Sequence, residues 1–341
     1  MSEDVRERND SMNGTERLLK ILGNFSKVHL LVVGDLMLDR FIWGDVDRLS
    51  PEAPVPVLRV CSESSRLGGA ANVIHNVRSL GAQVTACGVV GADGPGKTLT
   101  DDLRRIGAST RGVFADREIQ SIQKTRIIAR PSHQQIVRLD HESHAAIKDA
   151  TLKKICKFIG ERAGRFDGIV VSDYGKGVIH HQLLSSLASL AARQGIRLIV
   201  DPKKENYSRY QCPSLITPNK DEASAASGVA IHDDRTLSVA GQRLVRMWRA
   251  KAVLITRGPE GMSLFRPRQA VRHFPTQARA IFDVTGAGDT VVAVCALALS
   301  TGANYEEAAV LANHAAGLVG DEVGTVAVPM AKLNRVIKGL P

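Results

Sequence analysis

The residues best equipped for chemistry lie near the end of the chain, in Phe282-Asp283-Val284-Thr285-Gly286-Ala287-Gly288-Asp289-Thr290. Upstream, Gln277 to Phe282 reads as an extended segment; downstream, Val291 to Leu299 is apolar and of helical length. The glycines therefore fall where a loop becomes a helix N-terminus. Backbone N–H groups there have no intrahelical partner, and the helix dipole favours an anion. Glycine lets the backbone approach a phosphoryl group with no Cβ in the way. Asp289 follows these donors directly. An anion cradle beside a carboxylate is the minimum equipment for phosphoryl transfer to a hydroxyl. A plain helix start, with glycine for packing and aspartate as a first-turn charge, would be written the same way, so the rest of the chain must decide.

A second pair, Gly68-Gly69-Ala70-Ala71-Asn72, opens a helix that continues to about Leu80 and again allows close approach of a ligand. Asn72 stands in its first turn with free hydrogen-bonding groups. A third glycine turn, Gly91-Ala-Asp-Gly-Pro-Gly96-Lys97-Thr98, matches the P-loop pattern between a strand and a helix. Asp93 would put a negative charge inside such a loop, and Pro95 removes a backbone donor, so a simple strand–turn–helix connection is preferred.

The elements that position these turns follow from the apolar pattern. Val28 to Val33 is a run apolar but for His29 and ends in Gly34-Asp35, with Asp39 four residues on. Such a run is a buried parallel strand whose C-terminal end delivers a carboxylate. Residues 41–60 carry Pro51, Pro54 and Pro56 in short extended pieces outside the main sheet. Residues 112–140 form a second such excursion, and the two together are expected to make a small β lid. From Thr151 onward strands and helices alternate, which implies a mostly parallel sheet with helices on both faces. The strand ends carry Asp35, Asp173, Lys176, Asp201, Lys203, Asn219, Glu222 and Arg257. In an open sheet those ends share one edge and converge on one crevice.

Composition limits the functional classes. The chain has 341 residues, enough for one large α/β domain, and no apolar run approaches the length of a membrane span. The mixed-charge N-terminus lacks the apolar core of a signal peptide, and residues 1–14 are expected to be a disordered lead before a kinase domain over 15–341. Five scattered cysteines without a C-x-x-C pair argue against a metal cage and for a cytoplasmic location. Net charge is +10, yet aromatics are only 4% and the basic residues are dispersed. That distribution fits small polyanions better than nucleic acid, and no membrane partner is expected.

Taken together these residues resemble the ribokinase-like carbohydrate kinases of the PfkB family. Gly68-Gly69 with Asn72 is similar to that family's first signature, Asp283-Val-Thr-Gly-Ala-Gly-Asp289-Thr to its second, and Asn219-x-x-Glu222 to its N-x-x-E motif. The motifs appear in the family's order and span about residues 28 to 330. A narrower likeness is to the D-glycero-β-D-manno-heptose 7-phosphate kinases of lipopolysaccharide biosynthesis. It is carried by Gly34-Asp-Leu-Met-Leu-Asp39-Arg40, by Arg48-Leu-Ser50-Pro-Glu-Ala-Pro-Val-Pro-Val57, by Ser172-Asp-Tyr-Gly-Lys-Gly177 and by Asp201-Pro-Lys203. Leu49 stands where isoleucine would be expected. No H-x-G-H nucleotidyltransferase motif is present, so the likeness is to the stand-alone kinase.

The resemblance implies ATP-dependent phosphorylation of the anomeric hydroxyl, with Mg²⁺ and in some members a monovalent cation. Asp289 would accept the hydroxyl proton, and the N–H groups of Gly286, Ala287 and Gly288 would hold charge on the transferred group. Asn219 and Glu222 would order Mg²⁺ through water, with no direct protein ligand. Thr256, Gly258, Gly261 and Asn313 would line the nucleotide slot. Asp35, Gly68, Gly69, Asn72 and Asp173 would face the sugar, and Lys176, Lys203, Arg126 and Arg138 are the candidates for its phosphate. The lid implies a homodimer, since in that family it often pairs with a second subunit. A kinase of another sugar or sugar phosphate, and a non-catalytic nucleotide-sensing regulator, remain the alternatives.

Overall fold

The computed structural model describes residues 14–130, 132–143, 147–277, 285–319 and 326–340. Residues 1–13 of the expected disordered lead lie outside it, as do residues 278–284 with Asp283 and most of the expected extended segment. Residue 14 already opens a helix, α1 (14–23). It is followed by β1 (His29–Gly34), β2 (Leu36–Leu49), β3 (Pro56–Gly69), α2 (Ala70–Ser79), β4 (Gln83–Gly91) and α3 (Gly94–Arg105). Then come β5 (Ser109–Asp116), β6 (Ile122–Arg130), β7 (Gln134–His141), α4 (Asp149–Arg162), β8 (Gly168–Ser172) and α5 (His181–Gln194). The second half continues with β9 (Arg197–Asp201), β10 (Leu215–Ile216), α6 (Lys220–Ser227), α7 (Asp234–Met247), β11 (Val253–Thr256), β12 (Met262–Phe265) and β13 (Arg272–Phe274). Helices α8 (Ala287–Ser300), α9 (Tyr305–Ala316) and α10 (Met330–Ile337) close the chain.

Nine strands form one sheet in the order β13-β12-β11-β10-β9-β8-β1-β4-β5. It is parallel except where β12 runs against β11 and β13. The period of two along β1 explains why helices cover both faces. Leu30 and Val32 join the core shared with α2, α8 and α9, while Leu31 and Val33 join the core shared with α4, α5 and α7. Helix α8 is buried from Asp289 through Leu299, as expected of a helix that is apolar all round. No helix among the described residues is long and apolar enough to cross a membrane.

The second sheet has four strands in the order β3-β2-β6-β7. It departs from the sequence expectation in two ways. The first excursion is a hairpin over 36–69, longer than residues 41–60, because Leu36, Met37, Leu38 and Phe41 at its root are buried against the main domain. Its register shifts at Trp43/Gly44 and Val46/Arg48, and Pro51 and Pro54 are confined to the turn. Residues 112–116, expected in the second excursion, belong instead to β5, the edge strand of the main sheet. Its half-buried pattern reads like a free edge, but Phe114 packs edge-on against Phe158 of α4, with ring centroids 6.2 Å apart.

The P-loop look-alike is a capped helix start. Asp93 Oδ1 accepts the Gly96 N–H at 2.8 Å and the Ser121 hydroxyl at 2.7 Å, and Oδ2 accepts the Ser121 N–H at 2.9 Å. The carboxylate thus occupies the place a phosphate would need. Asp93→Ala should cost about 1 kcal/mol of stability, read from the urea midpoint, as loss of an N-cap does. Packing makes a sharper contrast. A Cβ on Gly34 would fall on the Ser172 carbonyl and within 2.9 Å of the Ala70 methyl, whereas Gly160 in α4 has open space around it. Gly34→Ala is expected to lower stability by about 2 kcal/mol or more, and Gly160→Ala to raise it by about 0.5–1 kcal/mol. Equal midpoints for the two variants would contradict this packing at the β1–β8 crossing.

Candidate active site

Two glycine turns start the helices that meet at the centre of the molecule. Gly69 has φ +54° and turns β3 into α2, and Gly286 has φ +86° and turns the chain into α8. Both conformations are ones that side chains with a Cβ rarely adopt. The helices are packed so that Asn72 Nδ2 donates to Asp289 Oδ2 at 2.7 Å. One turn deeper, Thr290 Oγ1 donates to Asn76 Oδ1 at 3.0 Å, and the Val328 N–H reaches the same oxygen at 3.2 Å. From the loop after β8, Tyr174 Oη donates to Asp289 Oδ1 at 2.7 Å. Asp289 is only 3% exposed. Burial pushes its carboxyl up to about 6; the Asn72 and Tyr174 donors and Lys124 pull it back, and Asp39 pushes it further. Among the described residues Asn72 Oδ1 has no hydrogen-bond partner, although it is buried. It is an acceptor waiting for a donor that the described residues do not supply.

Asp35 and Asp173 reach the same edge but hold the loop. Asp35 Oδ2 accepts the N–H groups of Tyr174 at 2.9 Å and Lys176 at 3.1 Å, and Oδ1 that of Val178 at 3.1 Å. Burial raises its carboxyl to about 6 despite those three donors. Asp173 accepts from the Gly175 N–H, Asn206 Nδ2 and the Tyr210 hydroxyl at 2.8, 2.7 and 2.6 Å. These two expected sugar contacts therefore also fix the position of Tyr174.

On the other side, Asn219 and Glu222 form a capping box at the start of α6. The Glu222 N–H donates to Asn219 Oδ1 at 2.8 Å, and the Asn219 N–H to Glu222 Oε2 at 3.0 Å. Thr256 is bridged to Asn219 at the end of β11. Gly258 and Gly261 have φ of +57° and +85°, and a Cβ on Gly261 would fall on the Phe274 carbonyl. Asn313 Nδ2 donates to the Pro275 carbonyl at 2.6 Å, so Gly261 and Asn313 both secure the segment leaving β13. Among the described residues no group of three His, Cys, Asp or Glu is placed to hold a metal. The remaining lone pairs of Glu222 suit metal-bound water, since its oxygens already meet Asn219 and, at 3.1 Å, Lys203 Nζ.

The small sheet brings the basic residues. Arg126 Nη1 donates to Asp39 Oδ1 at 2.6 Å, and Arg138 makes a two-pronged contact with Asp140 at 2.8 and 2.9 Å. Lys176 pairs with Glu142. A Cβ on Gly68 would strike the Asp39 carboxylate, so a side chain there would have to displace Asp39 from Arg126. Four residues with a part in the site carried no expected role: Tyr174, Asp39, Asn76 and Lys124. Asp39 could have been found from its place four residues beyond Asp35. Lys124 could have been found from its i, i+2 spacing with Arg126 on a strand. Nothing in the chain signals the Tyr174 contact, whose partner is 115 residues away.

The comparisons agree with this geometry. A family model described as "pfkB family carbohydrate kinase" matches residues 27–332. The bifunctional protein HldE of Desulfatibacillum aliphaticivorans is 44% identical over 317 residues, covering 93% of this chain and 64% of the relative. That of Geobacter metallireducens is 46% identical over 306 residues, covering 90% and 62%. The chain thus spans a little under two thirds of the length of these relatives. Phosphofructokinase-2 from Escherichia coli, solved in complex with potassium, superposes with a TM-score of 0.77 at 22% identity, over 92% of this chain and 99% of that one. Arabidopsis thaliana ribokinase, solved with ribose and ATP, superposes with a TM-score of 0.71 at 18% identity, over 91% and 99%. The chain belongs to the pfkB family of carbohydrate kinases and is an ATP-dependent sugar kinase of ribokinase-like fold.

Proposed function

We propose that the chain phosphorylates the anomeric hydroxyl of D-glycero-β-D-manno-heptose 7-phosphate to the 1,7-bisphosphate, a cytoplasmic step toward the ADP-heptose of the lipopolysaccharide inner core. The resemblance of the Gly34–Arg40 and Ser172–Gly177 segments to heptose 7-phosphate kinases supports the substrate, as does the identity to HldE proteins. One observation carries the chemistry: Asp289, held between Asn72 and Tyr174, is buried at the N-terminus of α8 beside an unpartnered acceptor. ATP, with Mg²⁺ as its counter-ion, supplies the phosphoryl group. Asp289 takes the proton from the sugar hydroxyl, while its two donors keep the other lone pairs occupied and the carboxylate oriented. Asn72 Oδ1 accepts a sugar hydroxyl. The N–H groups of Gly286, Ala287 and Gly288, which lack intrahelical acceptors, face the charge that develops in transfer. Asn219, Glu222, Thr256, Gly258, Gly261 and Asn313 shape the nucleotide side, and the small sheet closes the sugar side.

The same sheet is the proposed dimer surface. Val46, Val60, Val137 and Leu139 on its strands are 38–52% exposed, an apolar set that a second copy would cover.

Asp289→Asn should retain ATP and sugar binding while turnover falls by about 10²–10⁴-fold; near-normal turnover would remove Asp289 from the base role. Because the working form is the carboxylate, kcat/KM should be level above about 6 and fall tenfold per pH unit below it. Tyr174→Phe removes a donor that stabilises the carboxylate, so the acid limb should move to higher pH. An unmoved limb in pH-rate profiles would show that this bond is not made in the working enzyme. A coupled assay over phosphorylated heptoses and hexoses tests the substrate, and preference for a hexose phosphate would replace the heptose.

A further inference from the structure

The face of the small sheet that looks toward Asp289 can be read as rows of cross-strand neighbours. Asp39, Lys124 and Asp140 are opposite one another on β2, β6 and β7, and Phe41, Arg126 and Arg138 form the next row on the same side. The acids of the first row are taken by the arginines of the second, Asp39 diagonally across strands by Arg126 and Asp140 along its own strand by Arg138. The other cations of the cleft have partners too, Lys176 in Glu142 and Lys203 in Glu222. Lys124 is the exception: among the described residues it has no ion pair and no hydrogen bond, and its Nζ lies 6.0 Å from the centre of the Tyr174 ring. Burial and the like charges of Arg138 and Lys176 hold its ammonium below the ordinary lysine range, against the pull of Asp39 and Asp140. A partly buried ammonium with its donors unmatched is costly unless an anion joins it.

Position says which anion. The nucleotide-side residues Asn219, Thr256 and Gly258 stand at β10 and β11, on the far side of β8 and β9 from β1, from which the small sheet rises. Lys124 belongs to the small sheet, next to the tyrosine that touches Asp289. We propose that Lys124 binds the phosphomonoester of the acceptor sugar, and is the residue by which the site distinguishes a phosphorylated sugar from an unphosphorylated one. This rests on the reading that the acceptor is a sugar phosphate. Arg126 and Arg138, neutralised by their aspartates, shape the wall around it. A charge-assisted contact of this kind is worth roughly a 10- to 100-fold change in binding.

The test compares the full chain with Lys124→Gln, Lys124→Met and Lys124→Arg, each checked by thermal melting. Acceptors are heptose 7-phosphate and the same heptose without its phosphate, with ATP varied separately. Both neutral variants should raise KM for the phosphorylated sugar about 10- to 100-fold and lose the preference for it by the same factor. Turnover number and KM for ATP should stay within about threefold, and Lys124→Arg should recover most of the loss. A fall in turnover number with acceptor KM unchanged would overturn the proposal and place Lys124 on the transferred group. Preference retained by the neutral variants would overturn it alone. A wild-type enzyme indifferent to the sugar's phosphate would instead bring down the sugar-phosphate reading and this proposal with it.

Discussion

A carboxylate buried at the centre of a protein has to be supplied with donors, and the arrangement around Asp289 follows from that requirement. One donor comes from Asn72, 217 residues away, so α2 and α8 must pack with their first turns together. The other comes from Tyr174, and a tyrosine hydroxyl can be delivered to 2.7 Å only if its loop is rigid. Asp35 makes it so by gathering three backbone N–H groups of that loop, and Asp173 by anchoring it to Asn206 and Tyr210. The acids at the strand ends are thus linked as a series, each holding the group that holds the next.

The fold was legible wherever burial is uniform. The unbroken run at Leu30 to Val33 and the alternation after Thr151 announce a parallel sheet because both faces of its strands are covered. Legibility fails where exposure is mixed. Ser109–Asp116 alternates between half-buried and exposed because it is the last strand of the sheet, and a lone edge strand has the same signature. The hairpin over 36–69 reads as shorter than it is because β3 is exposed along most of its length, which leaves no buried face to count. In the site, glycines and Asp289 could be found by local spelling, since a helix start needs particular residues at particular steps. Tyr174 could not, because its role depends on a partner brought near only by the tertiary fold.

Some local motifs carry two explanations at once, and the structure shows that they are compatible. Asn219-x-x-Glu222 caps α6 by helix-start geometry alone, with both reciprocal bonds made. That leaves the pair rigid at the sheet edge, which is what a group ordering water around a triphosphate would need. The P-loop look-alike is the opposite case. Its spelling fits, but Asp93 fills the space with its own carboxylate, so one side chain decides between cradle and cap.

The roots of the small sheet join the main domain without slack: a single residue, Asp35, separates β1 from β2, and nothing separates β3 from α2. Strands of 14 residues standing on such roots reach roughly 45 Å at 3.3 Å per residue. A tilt of roughly 10° at Gly69 would therefore carry the far turn through about 8 Å while displacing Asn72 by only a fraction of that. The sheet is a long lever with its fulcrum beside Asp289, so a load applied at its far turn acts on the same few bonds that hold Asn72.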